Sequence, residues 1–254
     1  MKLRVRKLQQ PRGWAFAVGA TVVKPWLFLL ASRTWINGHQ IPSAGGCVLA
    51  FNHISHLDPL TAAHFIYDHG RLPRGLAKAE LFKHKALATL LISAGQIPVE
   101  RLTPQATKAY DAAVAAVRRG ECLMVYPEGT LTRDPELWPM VGRTGAVRIA
   151  LETGCPLIPV GQWGVQEFLP PYSKRPHPFP RKNFKVVVGD PVDLDDLRAL
   201  PRDAEVLEKA TERLMGALTD LVAQLRGETP PTERFDPRTA GVRLTGDPNR
   251  VEEE

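Results

Sequence analysis

The sequence predicts an α/β fold built around a mostly parallel sheet. Short continuous apolar runs alternate with segments of helical periodicity, which is typical of strands connected by crossover helices. At 254 residues the chain can form one sizeable core, or one core with a small appendage. Its composition, 44% hydrophobic and 24% charged, is that of a globular protein and argues against a polytopic membrane protein.

Residues 1–35 are predicted to form a basic, apolar anchor at a membrane interface. Residues 13–32 carry one charge, Lys24, and their length alone would allow a transmembrane helix. A cation near the middle of such a helix costs about 2.5–3.5 kcal/mol, however, and Pro25 breaks or kinks it. We therefore expect a helix–kink–helix that lies in the interface. The alternative is a hairpin packed on the protein itself; a signal peptide is disfavoured because no small-residue cleavage site follows.

Charged and aromatic residues favour this anchor. The cations before the apolar segment, with no acid among them, are Lys2, Arg4, Arg6, Lys7 and Arg12. Trp14, Trp26 and Trp35 would lie at the depth of the lipid headgroups. A second cationic patch, in a Pro-rich run, consists of Lys174, Arg175, Arg181 and Lys182.

The net charge of +6 and the isoelectric point of about 9.4 predict an anionic partner. Nucleic acid, anionic lipid and a phosphorylated substrate all fit that charge. Both cationic patches adjoin apolar or aromatic residues, and the sequence contains no nucleic-acid-binding signature. An anionic membrane surface is therefore favoured, and no nucleic-acid partner is expected.

Strands and helices alternate along residues 36–226, the predicted main domain. Continuous apolar runs predict buried strands at 45–51, 121–126, 155–163 and 184–190. Helical patterns predict helices at 59–68, 80–93, 104–119, 145–153 and 203–225. The clearest helix starts where Thr103 can cap it and Pro104 fits its first turn, and Gly120 ends it. Residues 227–254 are polar and Pro-rich and are predicted to be a loosely held tail.

The three cysteines are expected to be buried and reduced. Cys47, Cys122 and Cys155 are an odd number, and each adjoins an apolar run. Free cysteines of this kind are typical of a cytosolic protein, whereas disulfides would be expected in an oxidising compartment.

Residues 52–58, NHISHLD, directly follow the first predicted strand. Ligands of open α/β sheets bind at the carboxyl ends of the strands. His53 can accept a proton near neutral pH if a second group fixes its tautomer, and Asp58 is the candidate for that group. The two side chains can meet only if the chain turns between them. The alternative is that Asp58 is only a helix N-cap and His53 a polar strand end.

Two other kinds of site are disfavoured at this segment. A nucleophilic serine would need a G-x-S-x-G turn, which Ser55 lacks, so Ser55 is expected to be a turn or cap residue. The residues close enough in sequence to suggest zinc are His53, His56, Asp58 and His64. The binuclear hydrolase pattern H-x-H-x-D-H is not matched, because the second His is one place late and Pro59 replaces the last. No metal or other cofactor is therefore expected.

Three further blocks follow this segment. Residues 52–58 have the form N-H-x-S-x-x-D, which contains the spacing H-x4-D. GQIPVER stands at 95–101, YPEGT at 126–130 and PLIPV at 156–160. In this order and spacing the four blocks resemble the motifs of the glycerolipid acyltransferase family, which includes the 1-acylglycerol-3-phosphate acyltransferases. The resemblance covers about residues 36–190. One block alone is a weak signal, but the four together are specific.

The resemblance implies a two-layer α/β acyltransferase domain over residues 36–226, preceded by the N-terminal helical anchor. It implies transfer of a fatty acyl group from acyl-CoA or acyl carrier protein to the free hydroxyl of lysophosphatidic acid. The product would be phosphatidic acid for phospholipid synthesis, and the expected location is the cytoplasmic face of the cell membrane. The alternatives are an acyltransferase for another lysolipid, such as an aminolipid or glycolipid precursor, and a non-catalytic lipid-binding protein on the same fold.

The resemblance also implies roles for individual residues. His53 would be the general base and Asp58 its partner. The residues implied to bind the substrate are Asn52, Arg101, Glu128, Gly129 and Thr130, with Lys78 and Arg143 as further phosphate candidates. The guanidinium of Arg101 matches phosphate oxygens in pairs, although a surface salt bridge with Glu100 is its alternative. Glu128 would accept a bond from the acceptor's hydroxyl or from Arg101.

One stretch departs from the family's pattern. After the third motif many members have a short Ser/Arg segment and then Lys-x-Gly, where this chain has LTRDPELWPMVGRTG. Arg143 and Gly145 could replace that second element. The alternative for the PEGT block itself is a plain turn at a strand end.

Overall fold

A computed structural model describes residues 6–8, 10–99 and 106–243. Its strands are β1 (Ala31–Ile36), β2 (Cys47–Phe51), β3 (Pro73–Lys78), β4 (Ile97–Val99), β5 (Cys122–Val125), β6 (Leu157–Trp163) and β7 (Lys182–Val188). In the described part of the chain they form one sheet in the order β1-β7-β6-β2-β5-β3-β4. All neighbours pair in parallel except β6 and β7, so β1 and β7 run opposite to the other strands. The prediction of an α/β fold with a mostly parallel sheet is confirmed.

The helices connect and cover these strands. They are α1 (Trp14–Val18), α2 (Lys24–Leu30), α3 (Asp58–Asp68), α4 (Lys85–Ser93), α5 (Ala106–Arg118), α6 (Gly145–Thr153), α7 (Val165–Phe168), α8 (Asp195–Arg198) and α9 (Ala204–Arg226). The helix predicted at 80–93 is divided, because a 3-10 turn at Ala79–Lys83 precedes α4. The proposed cap residues Thr103 and Pro104 lie outside the described residues.

Helices lie on both faces of the sheet. Alternate residues of β2 point to opposite sides: Leu49 and Phe51 pack with α3, whereas Val48 and Ala50 pack with α5, α6 and α9. All five residues of this strand are buried, which explains its uninterrupted apolar sequence. The structure therefore has three layers, and the two-layer arrangement implied by the resemblance is wrong.

The N-terminal segment is helical from Trp14 to Leu30. A π-helical turn at Gly19–Val23 joins α1 to α2 and precedes Pro25, whose ring lacks an N–H donor. Residues 31–36, however, are the edge strand β1, and Trp35 is buried against Phe65 with its ring nitrogen 3.2 Å from Asp68 Oδ2. The expected headgroup position of Trp35 is therefore wrong. Among the helices of the described ranges, none has the length and hydropathy of a membrane-spanning helix.

The buried carboxylate of Asp68 attaches the N-terminal segment to the rest of the fold. Lys24 Nζ lies 2.5 Å from Asp68 Oδ1, and Arg33 and His64 approach Oδ2 at 3.5 and 3.3 Å. Burial opposes ionisation of Asp68, but the bonds from His64 and Lys24 outweigh it and lower the pKa of the carboxyl well below its usual range. The charge of Lys24 is thus compensated inside the protein.

The C-terminal part of the described chain packs on the body. Asp203 caps α9 by accepting a hydrogen bond from the amide of Val206 at 3.0 Å. Beyond this helix, the carbonyl of Phe235 accepts a hydrogen bond from the amide of Val141. This contact lies within residues 227–243 of the predicted polar tail, and residues 244–254 lie outside the described ranges.

The three cysteines are buried and free, as predicted. Cys47 and Cys122 are direct neighbours in register on β2 and β5. The side-chain bond from Cys122 lowers the pKa of Cys47, and that same contact, together with burial, raises the pKa of Cys122.

Candidate active site

The site lies at the carboxyl end of β2, where the chain turns before α3. Nδ1 of His53 is 2.8 Å from Oδ2 of Asp58. The side chain of Asp58 is fully buried and that of His53 is 13% exposed. The two residues that the sequence singled out are therefore in direct contact, at the edge of the sheet where ligands of α/β folds bind.

Asp58 also shapes the turn that makes this contact possible. Its Oδ2 accepts hydrogen bonds from the amides of Ile54 and Ser55 at 2.6 and 2.8 Å. An N-cap carboxylate would accept from amides that follow it, whereas these amides precede it. Asp58 is thus not merely a helix cap. Because it is an acceptor, it favours the tautomer with the proton on Nδ1 of His53, which leaves Nε2 as the basic nitrogen.

Tyr126 is a neighbour of His53 that the sequence did not reveal. Its ring stacks on the imidazole with centroids 4.2 Å apart and an angle of 26° between the planes. Burial, followed by the nearby charge of Asp58, raises the pKa of Tyr126 well above its usual value. This residue begins the YPEGT block, and no pattern in the sequence indicated that its ring would lie on His53.

Glu128 is buried beneath the site. Its two carboxyl oxygens accept hydrogen bonds from the amides of His53 at 2.8 Å and Met140 at 3.2 Å. Burial raises the pKa of Glu128 to about 8, although these amides act in the opposite direction. Its side chain is not among those that line the cavity described below. Two roles can be compared for Glu128: holding the backbone of His53, and the predicted contact with an acceptor hydroxyl. The geometry favours the first.

Asn52 is likewise placed for structure. Its side chain is fully buried and clamps β2 to β6, because its amide nitrogen donates to the carbonyl of Gln162 and its oxygen accepts from the amide of Gln162. The side-chain nitrogen of Gln162 donates in return to the carbonyl of Asn52 at 2.7 Å. The predicted contact of Asn52 with substrate has no support in this geometry, which instead fixes the strand end that carries His53.

Gly129 and Arg143 are brought together by the loop after β5. The backbone amide of Arg143 donates to the carbonyl of Pro127 at 2.8 Å. Gly129 has a φ of +75°, and a β-carbon at this position would come within 2.7 Å of Arg143 Nε. The absent side chain thus lets the guanidinium lie across the turn. Thr130 follows in this turn and is half-buried.

The remaining predicted cations have different outcomes. Lys78 is exposed at the carboxyl end of β3 and lines the cavity beside His53. Arg101 lies outside the described residues, so its predicted role in phosphate binding stays a prediction.

His53 is among the residues that line an apolar cavity of about 640 Å³. Its walls are the N-terminal helical segment, one face of α3, β3 and α4; they include Phe16, Val23, Leu27, Leu60, Ala63, Tyr67, Leu76, Leu90 and Leu91. The cavity has the size of a small-molecule pocket, and its lining suits a hydrocarbon chain. The cavity therefore places the predicted base, His53, beside apolar side chains.

The sequence and the fold are similar to those of known proteins. The family model named Acyltransferase matches residues 33–163, just over half of the chain. The chain belongs to the acyltransferase family. The resemblance that the four motifs indicated is confirmed, and the acyltransferase carries its catalytic candidates within the matched region.

Individual relatives support the assignment. The 1-acyl-sn-glycerol-3-phosphate acyltransferase of Bacillus subtilis is 27% identical over 209 residues, which cover 81% of this acyltransferase and 96% of the relative. The protein of that name from Borreliella burgdorferi is 28% identical over 156 residues, covering 61% and 60% of the two chains. A crystal structure of the 1-acyl-sn-glycerophosphate acyltransferase of Thermotoga maritima shares the fold, with a TM-score of 0.65, 19% identity and 85% and 81% coverage.

Other polar residues in and near the first motif form contacts of their own and do not contact His53 in the bonds described. The hydroxyl of Ser55 donates to the carbonyl of Leu169 at 2.7 Å, so Ser55 is a tie between loops. His64 turns to Asp68 and away from His53. In residues 6–8, 10–99 and 106–243, no group of three or more His, Cys, Asp or Glu residues is placed to hold a metal ion.

Proposed function

We propose that this acyltransferase moves a fatty acyl group from an acyl thioester to the free hydroxyl of lysophosphatidic acid. The observation that carries the proposal is the 2.8 Å contact between His53 and Asp58, with His53 among the residues that line an apolar cavity. The acceptor is inferred from the relatives, which are named as 1-acyl-sn-glycerol-3-phosphate acyltransferases. The product, phosphatidic acid, would serve phospholipid synthesis.

His53 acts as the general base in this proposal. Nε2 takes the proton of the acceptor's hydroxyl while that oxygen forms a bond to the thioester carbonyl carbon. Asp58 stabilises the resulting imidazolium and keeps the ring in place. The carbon–sulfur bond then breaks, and the thiolate leaves with the proton that the imidazolium returns. Hydroxyl and thioester become ester and thiol, so no covalent enzyme intermediate is needed.

The cavity provides the path for the acyl chain. His53 is among its lining residues, and its walls extend along α3 from Leu60 to Tyr67. Burying the chain there would hold the thioester carbonyl beside the base, and holding two reactants in place accounts for a large part of such a rate enhancement. Acyl-CoA and acyl carrier protein could both present the chain in this way.

The predicted cations would bind the phosphate of the acceptor in this proposal. Arg143 lies across the Gly129 turn, and the hydroxyl and amide of Thr130 belong to the same turn. Lys78 flanks the cavity from β3. Together with Arg101 of the second motif, these residues would place the acceptor's hydroxyl near His53.

The N-terminal segment would hold the enzyme on the cytoplasmic face of the cell membrane. Its exposed apolar side chains recur every three or four residues: Trp14, Val18, Val22, Trp26 and Leu29. Residues between them line the cavity, so this amphipathic segment separates the acyl path from its surroundings. An outward apolar face of this kind suits insertion into a bilayer interface, where the lysophosphatidic acid acceptor and the phosphatidic acid product would reside.

A coupled assay tests the proposed function. Purified enzyme in mixed micelles is given acyl-CoA or acyl carrier protein thioesters with lysophosphatidic acid, and thiol release and lipid product are both measured. We expect thiol release that depends on lysophosphatidic acid and yields phosphatidic acid. Parallel assays with other lysolipids test the acceptor. A clear preference for an aminolipid or glycolipid precursor would contradict the proposed acceptor, and absence of thiol release with every acceptor would favour a lipid-binding protein.

A further inference from the structure

We propose that the loop of residues 170–182 is a second membrane-contacting surface, separate in sequence from the N-terminal segment. In this proposal Phe179 inserts among the lipids while the cations of the loop contact anionic headgroups. The inference rests on the proposed membrane function and adds to it, because it assigns part of the contact to the catalytic body itself.

The apolar contribution comes from Phe179. Its side chain is 87% exposed to solvent. Pro178 and Pro180 flank it and restrict the backbone on both sides. A large ring presented to water by a restricted loop has little conformational freedom to lose on insertion, so most of its apolar area is available as binding free energy.

The charge of this surface selects an anionic partner. Lys174, Arg175, Arg181 and Lys182 lie in the loop, and the loop contains no Asp or Glu. The first acidic residue of the whole chain is Asp58, so the N-terminal segment has no acid either. Cations interleaved with an exposed aromatic ring and prolines complement a surface of anionic lipids.

The loop lies beside the N-terminal segment. The guanidinium of Arg181 donates to the carbonyl of Ala31 at 3.1 Å, and Ala31 pairs with Lys182 at the start of β1 and β7. Leu29, two residues before Ala31, is 74% exposed at the end of α2. The end of the loop that carries Phe179 therefore meets the chain just after α2, where the exposed apolar residues of the helical segment end.

The same loop is tied to the catalytic edge of the sheet. Because β7 is antiparallel to β6, it begins at the edge where β6 and β2 end. Just before the loop, the carbonyl of Leu169 accepts a hydrogen bond from Ser55, and within it the hydroxyl of Tyr172 donates to the carbonyl of Leu131. Membrane contact by this loop would thus turn the catalytic edge toward the lipids.

Vesicle binding tests the proposal. The full chain and its variants are sedimented with vesicles of phosphatidylcholine containing phosphatidylglycerol, and with vesicles of phosphatidylcholine alone. We expect Phe179→Ser to bind the anionic vesicles about tenfold more weakly than the wild type. We expect the double variant Lys174→Gln, Arg175→Gln to lose affinity for anionic vesicles and to bind neutral vesicles as the wild type does.

The matched control is Leu200→Ser. Leu200 is also exposed, at 48%, but it follows α8. This helix packs with α5, α6 and α9, on the face of the sheet opposite to α3. The change should therefore leave vesicle binding unaltered. Acyl transfer in detergent micelles should be the same for Phe179→Ser and the wild type, which separates this proposal from the function itself. Equal vesicle binding by the wild type and both loop variants, or a wild type that does not bind vesicles, would overturn the inference. Activity in micelles would still support the proposed function in either case.

Discussion

The carboxylate of Asp58 orients His53 and also closes the turn on which His53 lies. Replacement of Asp58 by Asn keeps one acceptor oxygen but removes the negative charge that stabilises the imidazolium. We expect Asp58→Asn to lower kcat about 10²–10⁴-fold with a much smaller change in KM. Steady-state assays in micelles measure both constants. An unchanged kcat in a folded Asp58→Asn variant would show that the contact is structural only.

Tyr126 holds the imidazole by stacking, since the two rings lie 4.2 Å apart. Tyr126→Phe keeps the stack and should retain nearly full activity. Tyr126→Leu removes it and should lower kcat about three- to tenfold, the equivalent of one aromatic pair, with KM little changed. Steady-state assays measure kcat and KM for both variants, and Tyr126→Phe is the control for Tyr126→Leu. Equal activities of the Phe and Leu variants would exclude a positioning role for the ring.

Glu128 makes stability depend on pH in a defined direction. Burial raises its pKa to about 8 from a usual 4.5, so the folded chain holds more protons than the unfolded chain between these values. This contribution to the unfolding free energy is therefore fully present below pH 4.5 and is lost as the pH rises through 8. Urea unfolding between pH 5 and 9 should show the wild type losing stability relative to Glu128→Gln. Parallel curves for the two proteins would contradict the assignment.

The contact between His53 and Asp58 was predictable from the sequence because the two residues lie five positions apart in one motif. The contacts that hold it were not. Tyr126 and Glu128 reach His53 only because β2 and β5 are neighbours in the sheet, and Gln162 reaches Asn52 from β6. Such contacts depend on strand order, which a single sequence does not contain.

At the scale of elements, strands were predicted where burial on both faces requires an uninterrupted apolar run. β2, β5 and β6 satisfy this condition and were found. The edge strand β1 alternates buried and exposed residues and contains Ser, Arg and Thr, so it was included in the anchor. β3 and β4 were missed because the first is PRGLAK and the second has three residues.

The attachment of the N-terminal segment depends on Asp68. Asp68→Asn leaves Lys24 and Arg33 facing a neutral side chain, and we expect a loss of about 3–5 kcal/mol of unfolding free energy at pH 7. Because the pKa of Asp68 is lowered in the folded chain, its contribution is present above the usual carboxyl pKa and is lost as the pH falls through the lowered value. The difference between the two proteins should therefore shrink below about pH 4.

Urea unfolding from pH 3 to 7 measures this difference. Lys209→Gln is a suitable control, since Lys209 forms an exposed salt bridge with Asp196 on the far side of the sheet and should change stability little. A difference between Asp68→Asn and the wild type that stays constant across this range would mean that the ionised carboxylate does not fasten the segment.

At the scale of the whole molecule, the sheet gathers distant parts of the chain at one edge. The catalytic turn, the loop after β5 and the loop before β7 all meet there, and the N-terminal segment covers the cavity that opens beside them. In the proposed function, this arrangement would bring the acceptor's hydroxyl and the thioester to His53 at one edge of the sheet.

Single-turnover acyl transfer by purified His53→Ala tests whether His53 removes the proton from the acceptor. The assay uses saturating thioester and lysophosphatidic acid in micelles, with His84→Ala, an exposed histidine at the start of α4, as the matched control. We expect the acyl-transfer rate of His53→Ala to be about 10²–10⁴-fold below that of the wild type and the rate of the control to be unchanged. A His53→Ala protein that is folded and transfers acyl groups at close to the wild-type rate would contradict this role of His53.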